Sequence, residues 1–152
     1  PAVEYTDWEV AAGESYAYVV AAVDTSFNES ADSNELIATA QARPVQVTFN
    51  VTLPDSTPST DSIYLAGSFN GWNPSGTEMA RGVGLFATLT LTFYEGDQLE
   101  YKYTRGSWSN VEKDASCNEV SNRTLTVVYG TEGAMTGDDT VQNWRNTAPC
   151  GD

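Results

Sequence analysis

Apolar and polar residues alternate with a period of two through most of the chain, and no stretch of ten or more residues carries a helical stripe. The alternation is sharpest at Val45, Val47, Phe49, Val51 and Leu53, each separated from the next by one polar residue. It recurs in part at Leu85, Leu89, Leu91 and Phe93. The pattern predicts strands over Tyr16–Val23, Glu35–Ala40, Val45–Leu53, Ser62–Ala66, Leu85–Phe93, Leu99–Thr104 and Thr124–Tyr129, each bounded by Gly, Pro, Asn, Asp or Ser. Strands with one apolar and one polar face stack as layers, so the expected class is an all-β antiparallel sandwich. A strand stops near Gln41 and a new one starts after Arg43-Pro44, which divides the chain into residues 1–42 and 43–152 with almost no linker.

Composition narrows the chemistry. The 152 residues carry 7 basic and 21 acidic side chains, a net charge of −14 that repels nucleic acid and anionic membranes. The absence of His removes Ser-His and Cys-His nucleophile pairs and His-based metal sites, and two Cys cannot form a four-thiolate zinc site. No cofactor or metal is expected. No run approaches the length of a membrane span, and a chain that begins at Pro1 reads as a segment of something longer. Cys117 and Cys150 in a Thr- and Asn-rich acidic chain are expected to form a disulfide, and with it a secreted protein. The acidic pairs Asp138-Asp139 and Glu112 with Asp114 lack the spacing of a calcium loop and read as solvated charge. A glycosidase would need two carboxylates about 5–9.5 Å apart across a deep cleft, which nothing in the pattern provides.

In the first segment Gly13 precedes Tyr16, which opens an apolar strand, the layout of a tyrosine corner. With Phe27-Asn28-Glu29-Ser30 and Ser33-Asn34 following, the segment resembles the C-terminal half of a fibronectin type III domain. Such a remnant lacks the opposing sheet. Its inner face would have to lie on the second domain, lie on another chain or stay bare. Trp8 reads as an exposed strand residue without function.

In the second segment Trp72 and Trp108 each occupy a Gly/Asn/Ser-rich loop after a strand, where a core tryptophan is not expected. Tyr101 and Tyr103 share one strand face, so Lys102 points to the other. Two indole faces, an ammonium and a carboxamide suit a sugar, which offers an apolar C–H face and a rim of hydroxyls. Each indole covering roughly 100 Å² would contribute about 2.5 kcal/mol. Association costs then leave an affinity of about millimolar to micromolar.

The runs Tyr64-Leu65-Ala66-Gly67-Ser68-Phe69-Asn70-Gly71-Trp72, Glu100-Tyr101-Lys102-Tyr103, Gly106-Ser107-Trp108 and Asn122-Arg123-Thr124-Leu125-Thr126-Val127 resemble starch-binding domains, carbohydrate-binding modules of families 20 and 48. The likeness covers about 100 residues. It implies an immunoglobulin-like sandwich with stacking by Trp72 and Trp108, sugar contacts from Lys102 and Asn122, and Trp144 in the core. One principal site is expected, because the stretch that carries a second-site aromatic in family 20 is here Ala87-Thr88-Leu89. The implied function is non-catalytic tethering of a secreted amylase or pullulanase-like enzyme to α-glucan, through a covalently attached catalytic domain. A structural spacer, with its indoles buried between domains, is the rival reading.

Overall fold

Val45, Val47, Phe49 and Val51 lie on one face of a nine-residue strand and are fully buried, and the rest of the fold is arranged around that stripe. The structure is a computed structural model that describes residues 4–151. The chain divides into two compact units, residues 1–43 and 44–152.

The second unit is a β-sandwich. Its strands are β3 (Pro44–Thr52), β4 (Ile63–Gly67), β5 (Glu78–Arg81), β6 (Phe86–Tyr94), β7 (Gln98–Thr104), β8 (Glu112–Lys113), β9 (Arg123–Thr126), β10 (Ala134–Thr140) and β11 (Asn143–Trp144). Hydrogen-bonded neighbours run β10-β3-β6-β5-β4-β7-β9, with β8 and β11 as a separate pair. The short β5 is the hinge between layers: Ala80 and Arg81 pair with β6, while Glu78 and Met79 pair with β4. The two layers meet in the core, where the Phe49 ring of β3 lies edge-on to Tyr101 of β7 with centroids 5.2 Å apart. Trp144 is fully buried there, and its indole N–H donates to Thr57 Oγ1 at 2.8 Å. All pairings are antiparallel except β10 with β3, which is parallel.

The expected strands of this unit are present within one or two residues at most ends, except that β9 stops at Thr126 instead of Tyr129. β5 and β10 had no expectation. β5 buries only Met79, and β10 faces inward with Met135, Gly137 and Asp139, so neither shows an apolar alternation. The reading of Glu112 and Asp139 as solvated charge is corrected. Glu112 is 1% exposed and receives three hydrogen bonds from the Arg123 guanidinium, at 2.7–3.2 Å, and one from the Tyr103 backbone N–H at 2.9 Å. Asp139 accepts from Arg123 at 2.7 Å and from both the Tyr101 and Tyr103 hydroxyls, at 2.9 and 2.8 Å. Burial first, then the Asp139 charge and hydrogen bond, push both phenols far above the ordinary tyrosine range. Burial alone would lower the Arg123 value, but Glu112 and then Asp139 outweigh it and hold it above its usual range.

The first unit is a hairpin of β1 (Ser15–Tyr18) and β2 (Leu36–Thr39). The Tyr16 hydroxyl accepts from the Ala11 backbone N–H at 2.8 Å, the hydrogen bond that defines a tyrosine corner. The strand expected to run to Val23 ends at Tyr18. Beyond it the ladder continues irregularly, with Ser33 and Ser30 hydroxyls accepting from Val20 and Ala22 N–H groups while their own N–H groups donate back. Trp8 is 68% exposed and lies outside any strand, so the strand assignment for it is corrected.

Both units contain the same hairpin turn, Asp24-Thr25-Ser26-Phe27-Asn28-Glu29 and Asp114-Ala115-Ser116-Cys117-Asn118-Glu119. In each, the Asp carboxylate accepts from the N–H groups of the Ser and Asn and from the Asn amide. The fourth residue, Phe27 or Cys117, takes a left-handed conformation. These bonds, led by the Asn28 amide for Asp24 and the Asn118 N–H for Asp114, hold both carboxyls below the ordinary aspartate range. A lowered folded-state value contributes stability above the ordinary range, and that contribution is lost as pH falls below it. The amide protons of Asn28 and Asn118 are therefore expected to titrate below about pH 4 in two-dimensional NMR spectra. Titration at or above that value would show that the carboxylates do not hold the turns.

Candidate functional site

The site begins with the pairing of β4 and β7, which sets Tyr64 opposite Thr104, Leu65 opposite Tyr103, Ala66 opposite Lys102 and Gly67 opposite Tyr101. Leu65, Tyr101 and Tyr103 point into the core, so Tyr64, Ala66, Lys102 and Thr104 share the outer face. Because the strands are antiparallel, the loops that follow them leave from opposite ends, and Trp72 would lie far from Trp108 if its loop simply continued. It does not. Asn70 accepts from the Gly67 N–H at 3.0 Å and donates to the Leu65 carbonyl and the Thr77 hydroxyl, both at 2.9 Å. This clasp turns the chain back along β4, so that the Leu65 N–H donates to Thr77 O and the Thr104 hydroxyl donates to Pro74 O. Gly67 is required at the bend, since a Cβ there would lie 2.5 Å from the Glu100 carbonyl and 2.6 Å from the Phe69 ring.

Two consecutive left-handed residues, Gly71 and Trp72, complete the reversal, and the Trp72 N–H donates to Gly67 O at 2.9 Å. A tryptophan at positive φ is uncommon and presents its ring where a regular turn would not. The loop after β7 is closed by Asn110, whose carbonyl accepts from the Arg105 N–H at 3.1 Å and whose side chain donates to Arg105 O at 3.3 Å. Trp108 opens a three-residue 3-10 turn, Trp108–Asn110, and is 38% exposed. The folded-back loop brings the two indoles together with centroids 6.4 Å apart and planes inclined by 41°. Trp72 is half-buried. The pair is therefore a shallow, tilted aromatic surface.

The other two expected residues lie on the same outer layer. Lys102 is half-buried, and its ammonium donates to the Val120 carbonyl. Asn122 is exposed and donates to Glu100 Oε2 at 3.1 Å. Glu100 stands on the same strand face as Lys102, so β7 carries Lys102 and, through Glu100, positions Asn122 just before β9. Both side chains are thus ordered by protein contacts. Trp144, Cys117 and Cys150 have no part in the aromatic surface, and the two cysteines are joined in a disulfide.

Residues that the sequence reading did not single out hold the site in shape. Asn70 lies within the run that carries Trp72, but its clasp is visible only in three dimensions. Tyr64 lies under the Trp108 loop, with its ring 3.5 Å from where a Gly106 Cβ would stand. Arg145, directly after the buried Trp144, donates to the Trp108 carbonyl at 3.0 Å and pairs with Glu119. Glu119 also accepts from Lys113 at 2.7 Å, and these contacts, Lys113 first, hold its carboxyl below the ordinary range. Among the described residues no group of three or more His, Cys, Asp or Glu could hold a metal ion.

The chain is 47% identical over 144 residues to an amylopullulanase of Thermoanaerobacter thermohydrosulfuricus and 46% identical over 145 residues to one of Thermoanaerobacterium thermosulfurigenes. Each alignment takes in 93% of this chain, but only 10% and 8% of those proteins, so the chain spans about a tenth of the relatives it matches. No family model matches. Among solved structures, a family 15 glucoamylase from Hypocrea jecorina superposes with a TM-score of 0.51 at 26% identity, covering 66% of this chain and 17% of that one.

Proposed function

We propose that the chain is a non-catalytic α-glucan-binding segment of a secreted amylolytic enzyme. Residues 43–152 form the starch-binding module, and residues 1–42 are closing strands of a fibronectin type III-like spacer. The observation that carries this reading is the inclination of the two indoles. Planes set 41° apart cannot both lie flat against a straight, ribbon-like glucan, whereas an α-1,4 chain curves and turns successive sugar faces to such a pair. Trp72 and Trp108 stack on the apolar sugar faces, and Lys102 and Asn122 donate to the hydroxyls at the rim.

The likeness to short segments of amylopullulanases supports an ancillary role beside a catalytic domain, and the disulfide suits an oxidising compartment. Tethering raises the effective concentration of polymer at the attached active site without new chemistry. The module adds affinity and the catalytic domain supplies turnover.

Titration of the chain with β-cyclodextrin and with cellohexaose, followed by tryptophan emission, tests the reading. A saturable change is expected with the cyclodextrin and none with cellohexaose. Silence toward both sugars would remove the α-glucan reading and leave a structural spacer as the function.

A further inference from the structure

The loop that carries Trp108 is closed by hydrogen bonds among Arg105, Ser107, Ser109 and Asn110. Its 3-10 turn has no side-chain cap at Ser107, and the segment from Gly106 to Asn110 is a single short excursion between Thr104 and Val111. The Trp108 carbonyl itself is reached from the C-terminal tail. Trp144 anchors that tail in the core, the Arg145 N–H donates to Val111 O at 3.0 Å, and the Arg145 guanidinium donates to the Trp108 carbonyl. The other end of the guanidinium is paired with Glu119, which the Lys113 ammonium also holds. Glu119 closes the turn that contains Cys117, and Cys117 is bonded to Cys150 at the far end of the tail. On the opposite side the Arg105 guanidinium binds Asn146 and Asp61.

We propose that Arg145 is a positioning residue. Together with Glu119 and the Cys117–Cys150 crosslink it forms a brace that sets the orientation of Trp108 relative to Trp72. The brace acts on the loop backbone and does not need to touch the sugar. An exposed ion pair of this kind contributes little to global stability, so its effect should be seen at the ring pair and not in the melting temperature. The effect on binding rests on the α-glucan reading above, whereas the effect on the ring pair does not.

Two indoles 6.4 Å apart and inclined to one another couple their transitions, so the intact chain should show an exciton couplet in circular dichroism. In Arg145→Met the couplet is expected to shrink and the β-cyclodextrin dissociation constant to rise about tenfold, with the melting temperature nearly unchanged. Arg145→Lys should recover part of both signals. Glu119→Gln, which leaves Arg145 in place, should move both in the same direction by a smaller amount. It also carries the test if Arg145→Met fails to fold. A couplet of full size in Arg145→Met, or in Glu119→Gln where that variant carries the test, overturns the brace. A diminished couplet with unchanged affinity overturns its role in binding. If the unaltered chain does not bind the cyclodextrin, the α-glucan reading fails, and the couplet still decides whether the tail orients Trp108.

Discussion

Replacing Arg123 with methionine is expected to lower the unfolding free energy of the second unit by about 3–5 kcal/mol, the usual cost of removing one partner from a buried ion pair. Arg123 stands on β9 and Asp139 on β10, the first and last strands in the hydrogen-bonded order, so their 2.7 Å contact closes the side of the sandwich that backbone pairing leaves open. The same guanidinium neutralises Glu112, which is 1% exposed, and donates to the Thr140 carbonyl. Its planar face lies 5.2 Å from the Tyr103 ring. Without it, two carboxylates face each other beside two phenols that already donate to Asp139 and cannot offset a second charge. The variant leaves Glu112 and Asp139 without their shared counter-charge, and this uncompensated pair is the source of the expected deficit. Urea unfolding at pH 7 checks the expected deficit. A deficit below about 1 kcal/mol at pH 7 would mean that solvent screens the network.

The same network shows where the sequence could be read and where it could not. Where the core is made of hydrocarbon, as at Val45 to Val51 of β3 or Leu65 of β4, periodicity of two located the strands. β10 turns a half-buried carboxylate, glycine and methionine inward, and the carboxylate's partner is Arg123 on a distant strand, so polarity concealed its inner face. The two loop tryptophans stood out as candidates because each follows Gly or Gly-Ser in a polar loop, where a core tryptophan is not expected. Their contact was not legible, since it depends on the Asn70 clasp folding one loop back over β4, a tertiary hydrogen-bond pattern with no local period. Arg145 was silent for the same reason: its partners Trp108 and Glu119 are 37 and 26 positions away.

Removing either indole is expected to weaken α-glucan binding by about 70-fold or more, and removing both is expected to weaken it further, by less than the sum of the two single losses. The estimate follows from about 100 Å² of sugar surface per ring at ~25 cal/mol per Å², or about 2.5 kcal/mol each. Neither ring supports the core, so Trp72→Ala and Trp108→Ala should retain the fold, and the left-handed backbone at Trp72 is no harder for alanine than for tryptophan. With centroids 6.4 Å apart the rings share one ligand surface, so their losses are not expected to add independently. Once one ring is gone, the sugar can no longer be held at the angle the pair defines, and the second ring should contribute less than it does in the pair. Calorimetric titration of both single variants and the double variant with β-cyclodextrin closes the cycle. Full affinity in either single variant would place the sugar elsewhere on the molecule. Strictly additive losses would mean that each indole stacks on its own, and that the inclination between them does not select the curvature of the glucan.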